Sequence, residues 1–133
     1  MSPELDAKLR AHYPAIFTVD PVGDPYDLDG PPVPSAFATW GFECGDGWYD
    51  LLNALCLNLQ HATKRGASQV VAIQVKEKLG GLCFYANGPD ADQAGMIELA
   101  ETMSKQLCEV CGNRGKTIRN GGIKTRCPEH END

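Results

Sequence analysis

Val71-Ala-Ile-Gln-Val-Lys-Glu-Lys-Leu-Gly-Gly-Leu-Cys-Phe-Tyr-Ala86 is the stretch that settles the fold class. Val71, Ile73, Val75 and Leu79 alternate with Ala72, Gln74, Lys76 and Lys78, the period-two pattern of a strand with one face on a core. Gly80-Gly81 predicts a two-residue hairpin turn. Leu82 to Ala86 reads as the return strand, with Phe84 and Tyr85 on opposite faces. Glu77 falls in the inward phase, so it is expected near the strand end or beside a lysine, because a buried unpaired charge is costly.

Helical patterns flank this hairpin. Upstream, Gly45-Asp46-Gly47 punctuates the chain, and Trp48, Leu51, Leu52, Leu55, Leu59 and Ala62 then recur at i, i+3, i+4, i+7. Lys64 and Arg65 suit the last turn and Gly66 the C-terminal cap. Downstream, Asn87-Gly88-Pro89 ends the strand and Asp90 opens a second helix, with Gln93 as its capping-box partner. Met96, Leu99, Ala100, Met103 and Leu107 form its expected apolar stripe. The expected core is therefore Trp48, Leu52, Leu55, Ile73, Val75, Phe84, Leu99 and Met103. The fold class is α+β: a small antiparallel sheet packed by helices, with a C-terminal zinc-binding hairpin.

The N-terminal part adds a helix beginning at Ser2-Pro3-Glu4, where serine caps and proline fits the first turn. Leu5, Leu9, Tyr13 and Ile16 follow near helical spacing, and Pro14 stops the helix. Residues 18–39 are rich in proline and aspartate and read as a long loop. Phe37 to Cys44 is expected as a short strand with Trp40 and Phe42 on one face. The loop, together with Trp40 and Tyr49, is a candidate recognition surface, because proline already restricts its unbound conformations.

After the second helix comes Cys108-Glu-Val-Cys111, then, after fifteen intervening residues beginning with Gly112, Cys127-Pro-Glu-His130. Zinc takes four tetrahedral nitrogen or sulfur ligands, and each of these pairs supplies two from one tight turn. The expected ligands are Cys108, Cys111, Cys127 and His130. Three thiolates and one imidazole leave no position for an activated water, so the zinc is read as structural. Lys116–Arg119 and Ile123–Arg126 flank Asn120-Gly121-Gly122 and predict a hairpin between the pairs. The chain divides into an α+β body, residues 1–107, and a zinc-binding hairpin module, residues 108–133.

The net charge of −6 is uneven. Residues 1–103 carry six Lys/Arg against fourteen Asp/Glu, and residues 104–133 carry six against four. Arg114, Lys116, Arg119, Lys124 and Arg126 lie between the zinc pairs and are the candidate contacts to nucleic acid. The acidic remainder and the absence of an aromatic in that hairpin weigh against this. No stretch reaches the roughly 20 apolar residues of a membrane span, and the first residues lack a basic and an apolar leader region. Cys44, Cys56 and Cys83 sit among apolar residues, as free thiols do in a reducing compartment. A cytoplasmic protein that does not engage membranes is expected.

Catalytic patterns are sparse. The chain has no G-x-S-x-G, H-E-x-x-H, P-loop or G-x-G-x-x-G. His12 and His61 read as surface histidines. Asp46 and Asp50 are accounted for by the start of a helix. A small nuclease using His61 and the acids around Asp46 is the least favoured alternative.

Gly45-Asp-Gly-Trp-Tyr-Asp-Leu-Leu52, Val75-Lys-Glu-Lys-Leu-Gly-Gly-Leu-Cys-Phe-Tyr85, Cys108-Glu-Val-Cys-Gly112 and Thr125-Arg-Cys-Pro-Glu-His130 together resemble a group of small bacteriophage and prophage proteins. That group shows a similar helix start, hairpin and C-terminal metal site in the same order. Leu79 and Cys83 stand where the group often has Phe and Arg. The resemblance spans roughly residues 40–130 and implies phage origin and the same zinc ligands. The expected function is that of a non-enzymatic accessory protein that binds a host macromolecule, a protein before nucleic acid, in host takeover or defence evasion.

Overall fold

The structure, a computed structural model, describes residues 1–21 and 27–133. Residues 22–26, inside the expected loop 18–39, lie outside the described residues. Helix α1 (Pro3–His12) starts as its sequence requires: Ser2 caps it by accepting from Leu5 N, and Pro3 occupies the first turn. Arg10 pairs with Asp6 at 2.5 Å and lies over the rings of Phe37 and Phe42, 4.6 and 5.7 Å from their centroids. Its guanidinium thereby covers one end of an aromatic cluster formed by Phe17, Phe37, Phe42 and Phe84.

The segment expected as a strand over Phe37 to Cys44 is mostly a short helix, α2 (Ala36–Trp40), capped by the Ser35 hydroxyl. Gly41, at φ +64, turns the chain into a two-residue strand, β1 (Phe42–Glu43). The serine cap and the left-handed glycine favour a helical turn over extension. Phe37 is fully buried, whereas Trp40 is 69% exposed.

A 3₁₀ turn at Asp46–Trp48 leads into α3 (Tyr49–Lys64), which buries Leu52, Leu55, Cys56, Leu59 and Ala62. Strands β2 (Val71–Lys78) and β3 (Gly81–Asn87) form the expected antiparallel hairpin. β1 joins the free side of β2 in parallel, Phe42 opposite Val75. The sheet is therefore mixed, with α3 as the crossover that a parallel pair needs. The turn sits one residue earlier than the glycines suggest. Leu79 (φ +51) and Gly80 (φ +85) are its two residues, and Gly81 pairs with Lys78. Two successive positive φ angles match a type I′ turn, whose twist suits a hairpin.

The apolar alternation in β2 breaks at a register shift between Ala72 and Gln74. Ala72 and Val75 point into the core, Ile73 is half-buried, and Leu79 is exposed at the turn. Such an irregularity resets which residues face inward. Glu77 is half-buried near the strand end, across from Leu82.

Helix α4 (Ala91–Ser104) opens with the full capping box of Asp90 and Gln93. Its buried residues are Gln93, Ile97, Ala100 and Ser104. The expected stripe is thus rotated, and Leu99 and Met103 leave the core, 65% and 38% exposed. Polar anchors set that rotation. Ser104 Oγ accepts from Leu82 N at 2.8 Å and Glu101 Oε2 accepts from Phe84 N at 2.9 Å, so α4 covers the free edge of β3. At the other end Gln93 donates to Ser68 O at 3.0 Å. Strands β4 (Lys116–Arg119) and β5 (Ile123–Arg126) complete the α+β fold as a separate two-stranded sheet.

Candidate functional site

The chain leaves α4 through Leu107 and enters a tight turn at Cys108. Gly112 N donates to Cys108 O at 2.8 Å, and Cys108 N donates to Asn113 O at 2.7 Å. Gly112 takes φ +80, which glycine adopts at least cost. A second tight turn follows β5, where Pro128–His130 forms a 3₁₀ helix and His130 N donates to Cys127 O at 3.0 Å. The two turns bring one ligand atom each from Cys108, Cys111, Cys127 and His130 within 4.8 Å of one another. The sulfurs of Cys111 and Cys127 are 3.7 Å apart, and His130 Nδ1 lies 3.7 Å from Cys108 Sγ and 3.2 Å from Cys127 Sγ. This cluster could bind one metal ion.

The environment prepares the thiols. Burial opposes ionisation of Cys108, but the N–H groups of Cys127, Cys111 and Val110, with the Cys127 side chain, outweigh it and bring the thiol down to about 6. Cys108 therefore offers a thiolate to a metal at neutral pH. At Cys111 the Asn113 N–H favours the thiolate, yet slight desolvation and neighbouring Cys127 and Cys108 push the thiol up. Asp133 Oδ2 stands 3.9 Å from His130 Nε2, on the side of the ring away from the cluster.

The module is tied to the body by backbone and side-chain hydrogen bonds. Gly47 N donates to Glu109 O at 2.8 Å and Gly45 N to Glu109 Oε2 at 2.9 Å, while Trp48 Nε1 donates to Leu107 O at 2.9 Å. Arg126 Nη1 reaches Glu109 Oε1 at 3.3 Å. On the other side Thr125, fully buried, donates through Oγ1 to Gly80 O at 2.6 Å. A Cβ on Gly47 would overlap the Cys108 carbonyl and come within 2.6 Å of Gly112 N. The glycines of Gly45-Asp46-Gly47 are there so that two backbones can touch. In the sequence they read as punctuation, and their close pairing before Trp48 is the one signal of a contact there. Glu109 and Thr125 carried no such signal.

Among the other sequence candidates, His12 and His61 are exposed. His61 and Asp50 are eleven residues apart on α3, about 16 Å along its axis, and do not meet. Asp46 accepts from Ser2 N at 2.6 Å. Cys44 and Cys56 are buried, which pushes the Cys44 thiol up to about 12 and raises Cys56 as well; Cys83 is half-buried. Tyr49 is half-buried against the core. Of the basic hairpin residues, Arg114, Lys116 and Arg119 are exposed, whereas Lys124 Nζ and Arg126 Nε donate to Asp133 O at 2.7 and 3.3 Å.

A surface that the sequence did not announce lies between α3 and α4. Leu51, Ala54, Leu55, Met96, Leu99 and Met103 line a groove of about 360 Å³. Leu57, on the outer side of α3, is also 44% exposed. No helix among the described residues is long and apolar enough to cross a membrane. No family model, no curated protein and no solved structure matches the chain.

Proposed function

We propose that this is a non-enzymatic accessory protein of a bacteriophage or prophage, built around one structural zinc ion, that binds a host protein in the cytoplasm through the α3–α4 groove. The observation that carries the reading is the exposure of Leu99 and Met103, 65% and 38%, beside Met96 and Leu51. Two packed helices with an apolar furrow between them accept an amphipathic helix from a partner, whose i, i+3, i+4 residues fill it. Methionine at such a surface adapts to the shape of the incoming side chains.

The metal reading rests on donor chemistry and spacing. Three sulfurs and one imidazole suit zinc. Bonds of about 2.3 Å to sulfur and about 2.0 Å to nitrogen set tetrahedral edges near 3.8 and 3.5 Å, which accord with the 3.7, 3.7 and 3.2 Å separations. Loaded, the site would hold the two turns together and stabilise the hairpin by on the order of 10 kcal/mol. Phage origin rests on the resemblance of the helix start, the hairpin and the ligand turns.

The test is affinity capture from host lysate with the wild-type chain and with Leu99→Asp, Met103→Asp, followed by mass spectrometry. The expected result is one specific host protein captured by the wild type and lost from the variant, with zinc content and circular dichroism unchanged. Recovery of the same protein at equal yield by both chains sinks the groove. Recovery of nucleic acid in place of protein sinks the protein-binding reading.

A further inference from the structure

Strand β4 has a free edge. Its hairpin is a two-stranded sheet, and the far side of β5 is occupied by the first metal turn, where Glu109 N donates to Thr125 O at 3.2 Å. Just before β4, Leu107 bridges Arg114, and Gly115 N donates to Gln106 O at 2.9 Å. Along Lys116–Arg119, among the described residues, the backbone bonds only to β5. Its outward N–H and C=O groups are therefore offered at strand spacing.

The side chains along this edge select one kind of neighbour. Arg114, Lys116 and Arg119 are exposed and form no ion pair among the described residues. Lys116 stands directly opposite Arg126, whose guanidinium already pairs with Glu109 Oε1 at 3.3 Å, which leaves the Lys116 ammonium beside Arg114 to take an anion. Arg114, Lys116, Ile118 and Arg126 line a cavity of about 460 Å³ together with Pro128 and one acid, Glu131. Cations on a short edge strand normally repel incoming strands. That repulsion excludes a second copy of β4, which carries the same charges, and turns to attraction for an acidic strand.

We propose that β4 receives an acidic, extended segment of the partner as a third strand. This rests on the protein-binding reading above. The segment's main chain would pair with Lys116–Arg119, and one of its carboxylates would enter the cavity between Arg114 and Lys116. A nucleic acid is the poorer occupant. Residues 104–133 contain no Phe, Tyr or Trp on which a base could stack, and the fourteen acids of residues 1–103 repel phosphates.

The experiment uses the full zinc-loaded chain and a fluorescein-labelled synthetic peptide alternating Glu with Val and Thr, read by anisotropy. Three comparisons accompany it: the same peptide with alternate amides N-methylated along one edge, a peptide with Lys in place of Glu, and an oligothymidylate. Expected are saturable binding of the acidic peptide, about tenfold weaker binding of the N-methylated one, and no binding of the Lys peptide. Lys116→Glu with Arg119→Glu should weaken the acidic peptide at least as much while retaining zinc. Equal binding of the N-methylated peptide, tighter binding of the oligonucleotide, or no peptide binding at millimolar concentration overturns the proposal. Capture through the groove is read separately with Leu99→Asp, Met103→Asp. Its loss without peptide binding sinks the edge and keeps the function, whereas peptide binding with capture unaffected keeps the edge and sinks the groove.

Discussion

Gly47 and Gly95 are both glycines without a left-handed backbone, yet their surroundings differ completely. A methyl group on Gly47 would meet the Cys108 carbonyl and Gly112 N, all of it backbone, whereas at Gly95 nothing lies within 4 Å. Gly47→Ala is therefore expected to destabilise the protein by about 1–3 kcal/mol and to speed metal loss. Gly95→Ala, in the exposed interior of α4, should stabilise it by about 0.5–1 kcal/mol. Thermal unfolding of the two variants, with zinc release followed by a chromogenic chelator, checks both. Shifts of the same sign would mean that the contact at Gly47 is misread. The four clustered Cys and His residues were legible because metal chemistry demands paired ligands at short spacing. Glu109, which accepts from Gly45 and Gly47, was not, since its role depends on a contact more than sixty residues away in sequence.

Helix α4 shows where periodicity misleads. Counting apolar residues puts Leu99 and Met103 inside, but hydrogen bonds from Leu82 N to Ser104 and from Phe84 N to Glu101 hold the helix with Ile97 and Ala100 inward. Leu99→Ala should consequently cost less than about 1 kcal/mol. Leu52→Ala, at a fully buried position on α3, should cost about 2–5 kcal/mol. Urea unfolding of both distinguishes the observed packing from the stripe, which would make the two losses similar. Helix α3, the capping box of α4, the β2–β3 hairpin and the β4–β5 hairpin were readable because each declares itself within a few residues. The parallel pairing of β1, the turn at Leu79 and the shift at Ile73 were not readable. Each is decided by what the strand meets across the sheet.

For the molecule as a unit, the metal turns are contiguous with the body. Glu109 holds Gly45 and Gly47, Leu107 O holds Trp48, and Thr125 holds Gly80. Chelation is therefore expected to loosen more than the hairpin. Hydrogen exchange after treatment with a strong zinc chelator should show lost protection at Gly45, Gly47 and the start of α3 as well as throughout 108–130, with the centre of α3 retained. Loss confined to 108–130 would show the body indifferent to the module. The same clamps bear on biosynthesis. A chain emerging from the ribosome presents Gly45–Trp48 and the Leu79–Gly80 turn long before Cys127 and His130 exist to complete the metal site. Both docking places wait for these ligands, so the fold cannot close until Cys127 and His130 have left the ribosome, and the supply of a metal ion from then on bears on whether nascent chains mature.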